Sequence, residues 1–236
     1  MAKLFEGAAK NWKFVLKFLV FSIVFWILEF AYQFYVLDPG NFQTALIRSF
    51  AFSGATFIGL ALLSSVLFKF KPVYAKYWHV RRSLGVTGFF FIIGHVLSVI
   101  LFVFMGDLFQ VFYSLNPFEN PLILGTVGFV VFFAMTLTST DWAMQKIGAA
   151  RWKTIHRLVY FGYFFAVAHF LTTNPPALYN LAGYLLFLVT ALTLAGELYW
   201  FVKIAGKNRF STLGAKIGFL LIILYLVLAY FVFFAK

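Results

Sequence analysis

The sequence predicts an all-α integral membrane protein, a helical bundle of six core transmembrane helices followed by a seventh, carboxyl-terminal helix. Of its 236 residues, 63% are hydrophobic and only 11% are charged, and the mean hydropathy is +0.93. These values lie far outside the range of soluble globular domains. The charges are also confined to particular connections between apolar stretches, which is the pattern of a multi-pass membrane chain.

Seven apolar segments account for the predicted helices, and most are long enough to cross about 30 Å of hydrocarbon at about 1.5 Å per residue. The fifth is the shortest and is expected to begin a few residues earlier, near Thr154. All six prolines fall between segments or at a first residue, where a missing N–H costs little. The segments are Phe18–Leu37, Ser49–Phe68, Leu84–Met105, Pro121–Thr140, Leu158–Asn174, Leu178–Phe201 and Ile217–Ala235.

The net charge of +12 reflects membrane orientation and not nucleic-acid binding, because the lysines and arginines alternate by connection. The amino-terminal segment and the second, fourth and sixth connections are basic. Of the others, one carries Arg48 as its single basic residue together with Asp38, the next only Asp107 and Glu119, and the last no charge. The positive-inside rule therefore places the amino terminus in the cytoplasm and the carboxyl terminus outside, in the cell (inner) membrane.

Several site classes are excluded by composition. With no cysteine, the chain has no disulfide, thiolate metal site or covalent haem attachment. No nucleotide-binding glycine motif and no internal repeat is evident, and the first apolar run is too long for a signal-peptide core. We therefore expect one domain over residues 1–236, with core helices at about 14–203 and the extra helix at about 214–235.

The connection between the fourth and fifth helices predicts a short interfacial helix. Thr140 is a suitable N-cap, an apolar and polar run follows, and Gly148 is a suitable stop.

His95 and His169 are the first candidate ligands. Ionisable side chains within a bilayer are costly and usually face a ligand or the bundle interior. Each of these histidines lies eleven residues past the start of its segment, at Leu84 and Leu158, and both helices run outward, so the two imidazoles reach similar depth. They suit the axial positions of one haem. The alternative is that each is a lone histidine, hydrogen-bonded to a backbone carbonyl or to a serine such as Ser98.

His156 and His79 are candidates for a second site at the cytoplasmic edge. His156 lies about 20 Å along the helix axis from His169, but thirteen residues leave the two about 140° apart around an ideal helix, so tilt or a bulge is needed to bring them to one face. An ordinary solvated histidine is the alternative for His156. His79 is either its axial partner or an interfacial residue.

Arginines near this edge suit haem propionates or a phosphate-bearing cofactor, unless they only anchor topology. They are Arg81, Arg82, Arg151 and Arg157. Glu29 and Glu197 lie within helices but are within reach of an interface, so no role is assigned to them.

The stretches RRSLGVTGFFFIIGHVLSVI (81–100) and LTSTDWAMQKIGAARWKTIHRLVYFGYFFAVAHF (137–170) resemble the ferric-reductase-like transmembrane domain family. Within it they are most similar to the haem-binding membrane subunits of methionine sulfoxide reductase systems. The matching residues are Arg81, Arg82, His95, Trp152, His156, Arg157, Tyr160 and His169.

The resemblance implies b-type haem stacked between the third and fifth helices, with His95 and His169 on the outer haem and His156 on an inner one. Members with four histidine ligands carry a histidine at the position that the resemblance assigns to Arg81. The sixth ligand of the inner haem is then His79 or is absent, leaving room for FMN or a quinone.

The expected function is transmembrane electron transfer by haem b, with the chain as an oxidoreductase subunit that holds one or two haems. The donor is a separate cytoplasmic flavin reductase, a bound flavin or a quinol, and the acceptor is an extracytoplasmic redox partner or ferric iron. The chain would contact membrane lipid and no nucleic acid. The alternatives are a seven-helix transporter, which would more often show inverted repeats, or a retinal photoreceptor, which needs a lysine deeper than Lys216.

Overall fold

The computed structural model describes residues 2–173, 176, 179–205, 219–220, 223–227 and 230, and the described residues are helical with short connections. The α-helices are α1 (Ala2–Tyr32), α2 (Phe42–Phe70), α3 (Trp78–Phe102), α4 (Leu122–Leu137), α5 (Asp141–Ile147), α6 (Ala149–His156), α7 (Val159–Thr173) and α8 (Leu181–Ala205). A π-helical turn, Gln33–Leu37, continues α1, and 3-10 turns occupy Pro72–Tyr77 and Leu108–Phe112.

Within the described part of the chain, four helical stretches are long and apolar enough to cross a membrane, which makes the chain an integral membrane protein. They are 13–37, 42–70, 72–102 and 181–203. A fifth is obtained if α4 and α5, which meet at 91°, are taken as one broken span. α4 and α7 have only 16 and 15 residues, so the count of six core spans remains a prediction. The expected extra helix at about 214–235 lies largely outside the described residues.

The short helix predicted between Thr140 and Gly148 is confirmed as α5, and its place at the membrane interface stays a prediction. The hydroxyl of Thr140 accepts a hydrogen bond from the N–H of Ala143 at 3.1 Å, which satisfies one of the free donors of the first turn. Gly148 ends the helix with φ +84°, a backbone conformation that suits glycine.

The fifth predicted helix differs from the expectation because it is broken. α6 ends at His156 and α7 begins at Val159, with a turn at Arg157 and Leu158. The phase of 140° calculated for one ideal helix therefore does not apply to His156 and His169. The turn is a departure from one continuous ideal helix, of the kind that the spacing of His156 and His169 called for.

Two helix pairs form the centre of the bundle, α2 with α3 and α4 with α7. In the first pair, a Cβ added to Gly88 would lie 2.9 Å from the carbonyl oxygen of Gly54. In the second, a Cβ on Gly128 would lie 3.1 Å from the carbonyl oxygen of Gly162. Glycine at these positions lets the helix backbones approach closely, as is common in membranes.

α1 and α8 flank this centre. α1 packs on α2 through aromatic rings, with Phe18, Phe21 and Phe25 all in contact with the buried ring of Phe57. α8 packs on α2 where Gly196 meets Val66. Much of the outer surface of α1 and α8 is apolar and exposed, as expected for helices that face lipid.

Candidate functional site

His95 on α3 and His169 on α7 face each other near one end of the bundle. The Nδ1 of His95 lies 3.1 Å from the carbonyl oxygen of Ile47, in the second turn of α2. The Nδ1 of His169 lies 3.0 Å from the carbonyl oxygen of Pro121, which precedes α4. A carbonyl oxygen can only accept a hydrogen bond, so each Nδ1 carries the ring proton. Each Nε2 then has a free lone pair with which the neutral imidazole can bind a metal.

The spacing of the two rings fits one metal between them. Their centroids are 6.4 Å apart, and the ring planes are inclined by 60°. A metal–imidazole bond is about 2.0 Å and the ring centroid lies about 1.1 Å beyond the nitrogen, so opposite ligands of one metal place their centroids about 6.2 Å apart. The donor set and its spacing therefore suit the two axial positions of a haem iron.

The environment of the pair is packed and apolar. A Cβ on Gly125 of α4 would lie 3.1 Å from the ring of His169, so glycine makes room for the imidazole. Ser98 donates to the carbonyl oxygen of Gly94 at 2.7 Å and is not the partner of His95. Both rings are hydrogen-bonded to a backbone carbonyl, as the alternative to haem ligation expected. These hydrogen bonds are compatible with metal binding, because they use Nδ1 and leave Nε2 free.

The two helix pairs carry equivalent residues at a constant offset of 74 positions. On or just before the first helix of each pair, Ile47 corresponds to Pro121, whose carbonyls hold the histidines, and Gly54 corresponds to Gly128. On the second helix, Gly88 corresponds to Gly162 and His95 to His169. The sequences WHVRRSLGVTGFFFIIGH (78–95) and WKTIHRLVYFGYFFAVAH (152–169) are identical at 6 of 18 positions. The expectation of no internal repeat is therefore wrong. The two pairs form a duplicated hairpin with the imidazoles at equivalent places.

His156 lies at the other end of the bundle, at the end of α6. Its Nε2 is 3.0 Å from the hydroxyl of Thr138, and its ring stacks on Trp152 at 3.9 Å between centroids. The indole N–H of Trp152 donates to the carbonyl oxygen of Thr138 at 2.7 Å. The imidazole is thus held by α6 and by the end of α4.

His156 borders a partly open cleft with a cavity volume of about 110 Å³. Arg81 and Arg82 of α3 line the same cleft. Arg82 makes an ion pair with Asp141 of α5 at 2.8 Å and stacks on Trp78 at 4.2 Å. The cleft thus combines one imidazole, two guanidinium groups and aromatic walls, which suits an anionic aromatic ligand. Its lining residues are Ile58, Ala61, Leu62, Trp78, Arg81, Arg82, Gly85, Phe89, Phe132, Met135, Thr136, Ser139, Trp152, His156 and Val159.

The duplication indicates which residue stands opposite His156. The stack of Trp152 on His156 corresponds, 74 residues earlier, to the stack of Trp78 on Arg82. Arg82 is therefore the equivalent of His156, whereas the family resemblance pointed to the neighbouring Arg81.

The structure does not bring His79 or Arg157 into the cleft. His79 is exposed, and its ring packs edge-on against Phe14 of α1 at 4.9 Å. Arg157 is also exposed and does not line the cleft.

Glu197 has partners that the sequence analysis did not identify. The Lys69 ammonium of α2 contacts both of its carboxylate oxygens, and the Tyr160 hydroxyl of α7 donates to it at 2.7 Å. Glu197 itself lies on α8. The charge within an apolar helix was the available signal, but sequence alone does not pair residues 128 positions apart. Glu29 accepts from Gln33 at 2.8 Å within its own helix turn.

Comparison with known families adds an independent observation. Residues 48–167 match the family described as ferric reductase like transmembrane component. This match covers His95 and His156 and ends two residues before His169.

Three relatives share 30 to 36% identity with parts of the chain. The protein-methionine-sulfoxide reductase heme-binding subunit MsrQ of Agrobacterium fabrum is 30% identical over 97 residues, which is 38% of this chain and 41% of that protein. The MsrQ of Bordetella pertussis is 36% identical over 92 residues, 39% of this chain and 43% of that protein. The magnetosome protein MamZ of Magnetospirillum gryphiswaldense is 35% identical over 89 residues, 36% of this chain and 13% of that protein. The alignments thus span about two fifths of the MsrQ proteins and about an eighth of MamZ.

Proposed function

Because this chain belongs to the family of ferric-reductase-like transmembrane components, we propose that it is a haem b protein that moves electrons across the membrane. The observation that carries the proposal is the pair of imidazoles, His95 and His169, 6.4 Å apart with both Nδ1 atoms engaged by backbone carbonyls. The names of the two MsrQ relatives, which describe heme-binding subunits, support it.

The residues of the outer site, the end of the bundle with His95 and His169, would bind the haem and orient its ligands. His95 and His169 would hold the iron through Nε2, and the carbonyl of Ile47 and that of Pro121 fix the two ring orientations and raise their basicity. Buried apolar side chains such as Phe52 and Phe89 keep water away from the bundle interior. Haem iron, when bound, supplies one-electron chemistry whose potential depends on its axial ligands and on the surrounding dielectric.

The inner site would receive electrons at the cytoplasmic side. His156 is its one imidazole, and Arg81 and Arg82 carry positive charge into the cleft for haem propionates or for the phosphate of FMN. Arg157 would add charge at the surface. A quinone is the other candidate for the same cleft, and His79 would take part only after a rearrangement of α1 and α3.

The donor we propose is a separate cytoplasmic flavin reductase, a bound flavin or a quinol. The acceptor is an extracytoplasmic redox partner protein or ferric iron. We favour a partner protein, since the MsrQ relatives are named as subunits of a reductase that acts on protein methionine sulfoxide.

For the topology we propose that α4, and α6 together with α7, also cross the membrane, giving six core spans with the amino terminus in the cytoplasm of the cell membrane. The whole chain is then one domain, with the additional helix at about 214–235. The duplication is not the inverted repeat that was expected of a transporter, because both halves place a histidine at the same end of the bundle.

The test is a pyridine haemochrome assay with reduced-minus-oxidised spectra on the purified protein. We expect one or two haems b per chain. His95→Ala and His169→Ala should each remove the same outer haem, because a single remaining imidazole leaves the iron without its second axial ligand. His156→Ala should spare that haem.

His79→Ala is the matched control, since this histidine lies outside both sites and its loss should leave the haem content unchanged. A purified parent protein without haem would refute the proposed function. Identical behaviour of the His95, His169 and His156 variants would refute the division into two sites.

A further inference from the structure

The connection between α3 and α4 turns large apolar side chains outward. Phe118 is 97% exposed, Phe109 87%, Met105 84% and Leu115 77%. Val103, Leu108, Phe112 and Tyr113 are also exposed. Contiguous apolar surface of this kind marks contact with lipid or with another protein.

The polar side chains of the same connection are mostly exposed, but they hydrogen-bond to one another and to nearby backbone N–H groups. The carboxylate of Asp107 accepts from the N–H of Phe109 at 2.9 Å and from the Gln110 amide at 3.3 Å. The carboxylate of Glu119 accepts from Ser114 at 2.7 Å and from the Asn116 amide at 3.0 Å. Both acidic groups thus satisfy donors within the connection.

The connection is anchored at its end by Asn120, which is fully buried. Its amide donates to the carbonyl oxygens of Val111 and Ser114, at 2.9 and 2.8 Å. Its side-chain oxygen accepts from the N–H of Leu122 at 3.2 Å, at the start of α4. The next residue, Pro121, supplies the carbonyl that holds His169. The connection is therefore a folded cap at the end of the bundle that carries the outer pair of histidines.

The apolar surface of this cap continues the exposed surface of α3. Leu97 and Leu101, in the last turns of α3, are exposed, and Val103 follows them into the connection. No lysine or arginine occurs anywhere from residue 83 to residue 145. The apolar surface along α3 thus runs onto the cap with no basic residue between them, and the charged side chains of the cap are the exposed carboxylates of Asp107 and Glu119.

We propose that residues 103–118 lie in the outer leaflet of the bilayer, with their apolar side chains at the boundary between headgroups and acyl chains. The headgroup layer offers polar partners that hydrocarbon lacks, so the exposed carboxylates of Asp107 and Glu119 can lie toward water while the apolar side chains lie toward the acyl chains. The hydrogen bonds of Asp107, Glu119 and Asn120 hold the backbone of the connection in its fold. The occupant of this surface is lipid.

The absence of cysteine makes a direct test possible, because one introduced cysteine is the only labelling site. Phe118→Cys and Phe109→Cys would carry a nitroxide spin label, with the protein in phosphatidylcholine vesicles. Collision of the label with dissolved oxygen, which concentrates in lipid, is compared with collision with a water-soluble nickel chelate. Leu28→Cys on the exposed face of α1 is the lipid reference, and Lys76→Cys in a basic connection is the aqueous reference.

We expect an oxygen-to-chelate collision ratio at both cap positions that is several-fold above that of Lys76→Cys and close to that of Leu28→Cys. A ratio like that of Lys76→Cys at both positions would overturn the proposal and would make the cap an aqueous surface for a protein partner. Leu115→Cys replaces either variant that fails to fold. The result does not depend on haem, so it is separable from the test of the proposed function.

Discussion

At the residue scale, the inner and outer sites differ at one pair of equivalent positions. In the outer site, the two hairpins carry histidines at equivalent positions, His95 and His169. In the inner site, the first hairpin carries Arg82 at the position where the second hairpin carries His156. Both residues stack on an equivalent tryptophan. The arginine makes the inner site positively charged and leaves His156 without an opposing imidazole from the duplicated position.

Arg82→His should therefore give the inner site a second axial ligand. The new imidazole would occupy the duplicated position opposite His156, and iron held there should become six-coordinate and low-spin. The ion pair lost with Asp141, whose side chain is 63% exposed, should cost at most about 1 kcal/mol of stability. Optical and electron paramagnetic resonance spectra of the purified variant measure the change in ligation.

Arg81→His is the matched control, since the adjacent residue points about 100° away around α3. If Arg81→His produced the low-spin site and Arg82→His did not, the family alignment would be right and the register of the duplication wrong.

The sequence predicted the two histidines and their equal depth, because an ionisable residue in an apolar helix is conspicuous. It did not predict their orienting partners, since Ile47 and Pro121 act through backbone carbonyls that any residue possesses. The resemblance assigns the histidine of the family to Arg81, whereas the stack of Trp78 on Arg82 makes Arg82 the equivalent of His156 in the duplication. The Arg82→His and Arg81→His variants distinguish the two assignments.

At the scale of elements, the close approach of α2 and α3 depends on glycine. A Cβ on Gly88 would lie 2.8 Å from a side-chain carbon of Ile58 and 2.9 Å from the carbonyl oxygen of Gly54. The second atom belongs to the backbone and cannot move aside alone. The position of His95 relative to α2 follows from this contact.

Gly88→Ala should therefore separate α2 from α3 and destabilise the protein by about 1–3 kcal/mol, the usual cost of overpacking. Thermal unfolding in detergent, followed by circular dichroism, and haem retention on heating measure the effect. Gly85→Ala is the control three residues away, where the nearest atom, the Cβ of Ala61, is at 3.8 Å. Equal stability of the two variants would show that the helices do not need this contact.

Among the elements, α5 was predictable because its start and stop signals are local, Thr140 and Gly148. The turn between α6 and α7 was not, because residues 157 and 158 carry neither glycine nor proline. The hydrophobic period continues through them, and the break is set by how α6 packs against the end of α4, where Trp152 donates to the carbonyl of Thr138.

At the scale of the whole molecule, one polar cluster joins three helices. Glu197 of α8 receives the Lys69 ammonium from α2 and the Tyr160 hydroxyl from α7. Its side chain is 18% exposed and that of Lys69 is 31% exposed. α2 belongs to one hairpin of the duplication and α7 to the other, so this cluster ties the two halves together through α8.

Glu197→Leu should leave the Lys69 ammonium without its partner in an apolar setting. Removing one member of a buried pair costs about 3–5 kcal/mol, and partial exposure should reduce the loss here to roughly 2 kcal/mol. The double variant with Lys69→Met should recover most of the stability, because no uncompensated charge remains. A double-mutant cycle on thermal unfolding measures the coupling, and strictly additive losses would argue against the ion pair.

The backbone origin of the two histidine acceptors has a consequence for genetic screens. A substitution at Ile47 or Pro121 changes the side chain but leaves the carbonyl oxygen in place. A saturation mutagenesis scan should therefore find His95 and His169 intolerant and position 47 permissive to other apolar residues. The backbone carbonyls that orient the two imidazoles would then not be detected by any method that finds functional residues by substituting side chains.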